Sequence, residues 1–374
     1  MGYNRQFNIF AVNLIKSHLI SYLVPKNLNV VWNLGFLVAM AFNFQVFSGV
    51  FVSFKFKAGE NLAFKSIRDL FTEENFGWFV RFYHSNGVSI YFLLMFLHVM
   101  KGVFYSSKFL HSSWYTGIVI LFVSIAIAFI GYVLPEGQMS FWGSTVIMNL
   151  MKWTGDLCVV IFGGESIGEA TYKRFYIYHY IAPLFVYLLI CFHIYYLHRD
   201  SSTNPLSGVD TKSNLKFYVK ELWNDAKNFL IILAFIAVQV GFGSIKIFQA
   251  DPDNSVIADP AVTPHHIVPE WYLLLFYATL KVLPTKVSGL LAIVAVISLI
   301  VILVESRAFS SIIATVHYHR NWTAISNMLM ALIFMLGYIG QMIINTALAM
   351  FGTLSLVLLL ILSTKLLDSS RVRF

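Results

Sequence analysis

Two pairs of histidines lie in strongly apolar stretches of this 374-residue sequence. His84 and His98 are fourteen residues apart in one stretch, and His179 and His193 are fourteen residues apart in another. Fourteen residues make close to four turns of an α-helix, so both histidines of a stretch share one face, about 21 Å apart along the axis. Both stretches are apolar enough to cross a membrane, and one further crossing separates them, so their helices run parallel. His84 then lies at the depth of His179, and His98 at that of His193. The spacing predicts two stacked bis-imidazole sites.

The donor set of these sites favours haem iron. Zinc fits poorly, because no cysteine or carboxylate lies beside either pair, whereas haem iron takes two axial histidines readily. Ionisable residues within a membrane are rare and usually functional. A single histidine there can still form an ordinary interhelical hydrogen bond, which is the plain alternative for each one taken alone. Identical spacing in two parallel helices argues against that alternative for the set.

Glycines repeat at the same interval in the two neighbouring apolar stretches. Gly35 and Gly49 are fourteen residues apart, as are Gly117 and Gly131. A flat macrocycle between helices requires backbone without side chains at two depths, and these positions supply it. A lone glycine pair in a membrane helix is more often a helix-packing site, but the shared interval favours cofactor binding.

The composition is that of a membrane protein. Hydrophobic residues make up 58% of the chain and charged residues 12%, against about 25% charged in soluble domains; the mean hydropathy is +0.72. A span needs about 20 apolar residues, and the sequence therefore predicts an all-α integral membrane protein with eight transmembrane helices. The expected spans are 31–54, 78–105, 114–134, 176–198, 228–248, 287–305, 323–342 and 346–367.

These spans suggest three parts and one orientation. We expect an N-terminal segment at 1–30, a four-helix bundle with its following loop at 31–226, and a C-terminal four-helix part at 227–374. The side that holds both termini carries 15 of the 26 Lys and Arg with 6 acids, and the other side carries 11 with 12 acids. The positive-inside rule places the termini on the negative, matrix-like side.

Several other partners and features are not expected. The net charge of +8 is not gathered on a soluble face, so nucleic acid is not a predicted partner. Two cysteines provide neither a disulfide framework nor a cysteine metal site. The first 26 residues are polar and mixed, which argues against a cleavable signal peptide.

With these residues in view, the chain resembles cytochrome b, the di-haem subunit of the respiratory cytochrome bc1 complex (complex III). The resemblance runs from about Trp32 to the last span. The photosynthetic homologue has one more residue between its second histidine pair and divides its halves between two chains, so the respiratory form fits better. Besides the histidine pairs, the motifs that carry the resemblance are WNLG at 32–35, GYVLPEGQMSFWG at 131–143, LHRDSSTNPL at 197–206 and PEWY at 269–272.

The resemblance implies a proton-motive Q cycle. Ubiquinol would be oxidised at the positive side and ubiquinone reduced at the negative side, with electrons crossing through two non-covalent haem b groups. His84 and His179 would ligate the low-potential haem, and His98 and His193 the high-potential one. Implied partners are the Rieske iron–sulfur protein, cytochrome c1, further complex III subunits and a second copy of the complex as a homodimer, in the mitochondrial inner membrane. A bacterial plasma membrane is the alternative location.

By the same resemblance, Glu270 of the PEWY motif would accept a proton from quinol. A carboxylate in an apolar pocket has its pKa raised by desolvation, which suits that role. The plain alternative is that Glu270 caps or salt-bridges a loop helix. Tyr277, about two turns later, would face the same pocket. Further residues implied to line it are Phe129, Met139, Gly143 and Phe276. We expect Gly143→Ala to narrow this pocket and weaken inhibitor binding.

On the negative side the resemblance implies a quinone-reduction site. His198 and Glu221 are chemically suited to deliver protons there, and Ser202 and Lys220 complete the implied site. Without the resemblance, His198 reads as an interface histidine and the pair Lys220 and Glu221 as a solvated helix face.

Arginine, lysine and tryptophan side chains near the histidines would bind haem propionates. Arg81 and Arg174 precede the low-potential pair, and guanidinium groups bind carboxylates well. Lys101 and Trp114 would serve the other haem. The competing reading for all four is that of simple interfacial anchors.

A few positions depart from the family pattern, and none is a haem ligand. They bear on redox tuning and inhibitor response rather than on the reaction. The departures are Glu136 in place of an aromatic residue, Met100 for glycine, Lys101 and Lys281 for arginine, Glu221 for aspartate, and an added His265 before His266. The rival interpretation of the whole chain is a proton-coupled transporter that uses membrane histidines as relays, and such a preparation would be colourless.

Overall fold

A computed structural model describes residues 12–13, 16–105, 110–200, 202–205, 214–243, 251–302 and 320–369. The described chain is predominantly helical, and the predicted all-α membrane fold is confirmed. Its α-helices are α1 (Leu34–Ser53), α2 (Leu62–Glu73), α3 (Gly77–Phe104), α4 (His111–Val133), α5 (Gln138–Met151), α6 (Asp156–Phe162), α7 (Glu169–Asp200), α8 (Phe217–Phe242), α9 (Leu274–Val282), α10 (Lys286–Ile302), α11 (Arg320–Gln341) and α12 (Thr346–Ser369).

Seven helices of the described part are long and apolar enough to cross a membrane, namely α1, α3, α4, α7, α8, α11 and α12. The remaining predicted span, 287–305, falls on α10, of which 17 residues are described. A helix satisfies its own backbone hydrogen bonds, which a lipid environment requires of any spanning segment. Helix α7 continues for 32 residues through Pro183, although proline has no N–H to donate to the preceding turn.

Four of these helices build a bundle. Helix α1 packs along α3, and α4 packs along α7. Across the bundle the Tyr91 hydroxyl of α3 lies 2.8 Å from the Ser124 hydroxyl of α4. The buried core at the centre includes Leu37, Phe42 and Phe92, and α8 packs against both α1 and α3.

Shorter helices form the connections on the predicted positive side. Helix α2 buries Ala63, Ser66 and Leu70, whose spacing of three and four residues is that of an amphipathic helix. Helices α5 and α6 join α4 to α7, and α6 ends at Gly163, whose φ of 90° is left-handed and favours glycine. A second core holds α9, α11 and α12 together and includes Leu336 and Ile339.

The opposite end of the bundle carries a small antiparallel pair of strands. Strand β1 (Leu23–Pro25) pairs with β2 (Asn214–Lys216). Before β1 lies a π-helical turn, Lys16–Ile20, and a 3-10 turn, Val30–Asn33, leads into α1. This pairing brings the start of the described chain to the ends of α7 and α8.

Candidate functional site

The two predicted histidine pairs meet across the bundle between α3 and α7. The ring centroids of His84 and His179 are 6.2 Å apart with planes at 87°. Those of His98 and His193 are also 6.2 Å apart, with planes at 69°. Each pair thus forms a gap of the same width at one of two depths in the bundle.

A third histidine pair is in direct contact and gives a distance with which this gap can be compared. His18 and His198 are bonded directly, with their Nδ1 atoms 2.8 Å apart and their ring centroids 5.1 Å apart. The gaps at His84 and His98 are wider than this direct contact. Two metal–nitrogen bonds of about 2 Å each together exceed the 2.8 Å hydrogen bond by about as much as the 6.2 Å centroid distance exceeds the 5.1 Å one. Each gap therefore fits one metal ion between its two rings.

Hydrogen bonds fix the orientation of three of the four rings. Ser48 Oγ lies 3.0 Å from His84 Nδ1, and Thr116 Oγ1 lies 3.1 Å from His193 Nδ1. His179 Nδ1 donates to the Ile127 carbonyl at 2.9 Å. Because Nδ1 is occupied in each ring, Nε2 is the nitrogen left to bind a metal, the arrangement usual for ligating histidines.

The four glycines lie directly against these rings. A Cβ added at Gly35 would fall 3.2 Å from His98 Cε1, and one at Gly49 would fall 3.0 Å from His84 Cε1. At Gly117 the distance to His193 Cε1 is 3.1 Å, and at Gly131 the added atom would overlap His179. Each histidine therefore has one glycine beside it, and any side chain there would crowd the ring.

A cavity of about 340 Å³ opens between His84 and His179. It is lined by Gly49, Gly131 and Arg81 among others. The guanidinium of Arg81 makes no hydrogen bond or ion pair with any described residue. A buried cation without a partner is costly, so the cavity is suited to a ligand that carries an anionic group. Rings, glycines and cation together fit a bis-histidine haem with its propionates.

The other three residues named for propionate binding make hydrogen bonds within the described chain. Arg174 donates from Nη1 to the carbonyls of Val159, at 3.2 Å, and Val160. Trp114 Nε1 donates to the Ile300 carbonyl at 3.2 Å. Lys101 lies 4.5 Å above the Trp32 ring and donates to Thr203 Oγ1 at 3.4 Å. Of these three, Lys101 lies three residues from a paired histidine and so shares its helical face.

Glu270 lines the same cavity as His84 and His179. Burial raises the pKa of the Glu270 carboxyl to about 7, and the negative charge of Asp251 adds to the rise. Its side chain does not cap the turn that follows it, contrary to the plain alternative. The neighbouring aromatic residues anchor the motif: Trp271 Nε1 donates to Ser89 Oγ at 3.1 Å, and Tyr272 stacks on Phe92 at 4.2 Å.

Five further residues were named for quinol oxidation. The Tyr277 hydroxyl donates to the Ile267 carbonyl at 2.7 Å. Met139 is fully buried, and a Cβ at Gly143 would meet nothing within 4 Å. Phe129 packs near α6 and Phe276 among the C-terminal helices. None of these five residues lines the cavity at His84 and His179.

Glu136 binds the start of α2. Its Oε1 accepts from the Asn61 N–H at 2.7 Å, and its Oε2 accepts from the Phe64 N–H at 3.4 Å. Asn61 is the residue before α2 and contributes no side-chain cap of its own, so a carboxylate from the α4–α5 turn caps this helix. Burial raises the pKa of Glu136, and the two backbone N–H groups oppose that rise.

At the other end of the bundle, His198 lies among residues that sequence reasoning missed. His18 bonds its Nδ1, and the Tyr22 ring stacks on it at 4.1 Å. The Tyr22 hydroxyl lies 3.3 Å from Ser202 Oγ. Glu221 is buried, and its Oε1 has no hydrogen-bond partner among the described residues. Lys220 belongs to α8, but its side chain lies outside the described residues.

A local signal marks two of the missed partners. Ser48 and Thr116 each stand immediately before a glycine of the fourteen-residue pairs, in Ser48–Gly49 and Thr116–Gly117. A hydroxyl at the position before the glycine can form a hydrogen bond with the histidine ring that packs against that glycine. His18 and Tyr22 carry no such signal, because their contacts with His198 and Ser202 each span 180 residues.

The fold and site define a class: an integral membrane helical bundle with two histidine pairs between its helices. Family profiles described as Cytochrome b/b6/petB and Cytochrome b(C-terminal)/b6/petD match residues 19–201 and 257–360. Cytochrome b of Theileria parva is 52% identical over 97% of this chain and 100% of that protein. Cytochrome b of Plasmodium falciparum is 40% identical over 82% and 81%. A chain of a hyperthermophilic respiratory Complex III superposes with TM-score 0.87 at 25% identity over 96% of both chains.

The chain belongs to the cytochrome b family. It is the catalytic, quinol-oxidising and electron-transferring subunit of ubiquinol–cytochrome c reductase, respiratory complex III, as the sequence motifs predicted. Haem b is the cofactor of the family, and the chain works with other subunits of the complex.

Proposed function

We propose that this chain holds two haem b groups, one at His84 and His179 and the other at His98 and His193. A haem b at each site supplies one-electron transfer, so that together they link the two faces of the membrane. The observation that carries the proposal is the cavity that joins Arg81 and both histidines of the first pair to Glu270. Two histidine gaps of equal width support a second haem of the same kind.

At the positive side, ubiquinol oxidation releases two electrons and two protons. Glu270 receives one proton, because burial raises the pKa of its carboxyl to about 7 and the residue lies on the wall of the cavity. We assign the walls of the adjoining quinol pocket to Phe129, Met139, Gly143, Phe276 and Tyr277. The open space beside Gly143 supports this, since a ligand can approach its backbone closely.

At the negative side, ubiquinone takes up two electrons and two protons. His198 and Glu221 deliver the protons, and Ser202 and Lys220 bind the quinone. Glu221 supports this role because its buried Oε1 has no partner among the described residues. Lys101 lies at the same end, next to Thr203, where its charge favours an anionic propionate.

The partners follow from what the chain lacks. Even the two thiolates of a Rieske cluster cannot come from this chain, because Cys158 packs with Phe175 in one core and Cys191 lies 16 residues, about 24 Å, further along α7. We therefore propose that one of the two quinol electrons goes to a Rieske iron–sulfur protein and from there to cytochrome c1, within a homodimeric complex. The excess of basic residues on the side of the termini and the relatives in Theileria and Plasmodium favour the mitochondrial inner membrane.

Proteoliposomes that contain the purified complex test this function. Ubiquinol should reduce cytochrome c with release of protons on the outer face and uptake on the inner face, and Glu270→Gln should abolish most of the turnover. Proton movement in a colourless preparation without quinol oxidation would instead establish the transporter.

A further inference from the structure

His18 and His198 meet end to end at the negative-side end of the bundle. His18 lies in the π-helical turn Lys16–Ile20 and His198 in the last turn of α7. Their Nδ1 atoms are 2.8 Å apart, their centroids 5.1 Å apart and their planes within 17°. The centroid distance exceeds the nitrogen distance by about two ring radii. The rings are therefore nearly coplanar, and the hydrogen bond between them is close to linear.

This geometry couples the protonation of the two rings. Two ring nitrogens at hydrogen-bond distance hold one proton between them, because one must donate and the other accept. When His18 Nδ1–H donates, His198 Nδ1 accepts and the proton of His198 is on Nε2. The Nε2 of His18 is then an open acceptor. When one ring changes the nitrogen that carries its proton, the other ring must change as well.

Tyr22 restricts what else His198 can do. Its ring covers one face of the His198 imidazole at 4.1 Å, and its hydroxyl is engaged with Ser202. Burial raises the pKa of the Tyr22 phenol, so Tyr22 stays neutral and supports the ring without exchanging protons with it. The free edge of His198 is the one that carries Nε2.

We propose that His18 is a positioning residue that relays protons through His198 to the quinone. This rests on the proposed reduction of quinone at His198. His198 Nε2–H gives its proton to a quinone oxygen while His198 Nδ1 takes the proton of His18 Nδ1, and His18 Nε2 takes one from water on the negative side. One proton thus passes from water to the quinone, and the electrons come through the cofactor path. The pair regains its first tautomers by exchange with water after quinol leaves.

The charged groups near His18 and His198 have other partners or roles, so the relay consists of these two rings. The next residue, Arg199, is paired with Asp200 at 2.7 Å, so its charge is compensated locally. Helix α8 packs against the π-helical turn and contributes the acids Glu221 and Asp225. Asp225 accepts a hydrogen bond from Asn33 Nδ2, and Glu221 serves the second proton of the reaction. Among the described residues, His18 and Tyr22 are the titratable groups in contact with His198.

The test is the rate at which ubiquinone reoxidises prereduced b haem in the purified complex, with His18→Gln as the main variant. A glutamine amide can still donate to His198 Nδ1 but cannot pass a proton on. We expect reoxidation to slow by about 100-fold, with an altered pH profile, an unchanged haem spectrum and recovery on addition of free imidazole. Tyr22→Phe keeps the ring contact and should retain the wild-type pH profile.

Unchanged reoxidation in His18→Gln would overturn the relay. Slowing without a change in pH profile and without rescue by imidazole would also overturn it, since it would mark a purely structural contact. His198→Gln separates this failure from that of the proposed function. If His198→Gln slows reoxidation and His18→Gln does not, only the relay is wrong. If neither variant slows it, the reduction site lies elsewhere.

Discussion

Gly49 lies so close to His84 that a Cβ on its backbone would fall 3.0 Å from the ring. The same relationship links Gly35 to His98 further along the same two helices. Helices α1 and α3 pack antiparallel, so both contacts form only if the intervals on the two helices are equal. Both are fourteen residues, and α4 and α7 repeat the arrangement with their own glycines and histidines. Equal spacing is therefore a packing requirement of two stacked sites.

Replacing these glycines by alanine should lower the haem content of the complex, and the loss should be greater where the added Cβ lies closer to the histidine ring. Gly131→Ala places a Cβ onto the His179 ring, which is a closer approach than at Gly35. We expect Gly131→Ala to lose most of the haem of its pair and Gly35→Ala to lose less, measured as haem per chain in the purified complex. Gly143→Ala is the matched control, because its Cβ enters open space; it should keep both haems while weakening inhibitor binding. Equal haem content in all three would refute the account.

The pH dependence of quinol oxidation should follow Glu270. Only the ionised carboxylate accepts a proton, and burial raises its pKa to about 7. Activity should therefore rise as pH increases through about 7 in the wild type. Glu270→Gln should lower turnover by about 100-fold or more and remove that rise, whereas Glu270→Asp should keep it at reduced rate. A rise that persists in Glu270→Gln would show that another group accepts the proton.

Two arginines that look alike in the sequence should behave differently. Arg81 has no partner among the described residues and lines the cavity, so Arg81→Gln should weaken haem binding and lower the midpoint potential of that haem. A positive charge favours the reduced, more negative form. Arg174 is bound to the carbonyls of Val159 and Val160, and Arg174→Gln should leave the potential unchanged. Equal shifts in both variants would contradict the structure.

Glu136 should stabilise α2 from outside the helix. Loss of a cap costs about 1–2 kcal/mol, so Glu136→Ala should speed amide hydrogen exchange at Asn61 and Phe64. Glu136→Gln keeps one acceptor and should have a smaller effect. Position 136 has a φ of 59°, which neither alanine nor glutamine adopts more readily than glutamate, so backbone strain does not separate the two variants. Haem content should stay at the wild-type level in both. Exchange rates that do not change in Glu136→Ala would show that the carboxylate contributes nothing to the helix.

Local periodicity predicted the spans and the depths of the histidines, because both depend on the rise and turn of single helices. The same reasoning distinguishes Arg81, three residues before His84 and on its face, from Arg174, five residues before His179 and about 140° away. Contacts between distant segments were not predictable. The pairing of β1 with β2, the cap from Glu136 and the contact of His18 with His198 each join segments that hydropathy does not relate. The hydrogen bond from Trp114 to the Ile300 carbonyl on another helix was not predictable for the same reason.

A redox titration of the purified complex, followed by visible difference spectra, tests the central claim most directly. Two b-type transitions at separate potentials are expected, each with a stoichiometry of one haem per chain. His84→Leu should remove one transition and His98→Leu the other, which assigns each potential to its histidine pair. A single transition in the wild type, or the loss of the same transition in both variants, would contradict two separate haem sites in this bundle.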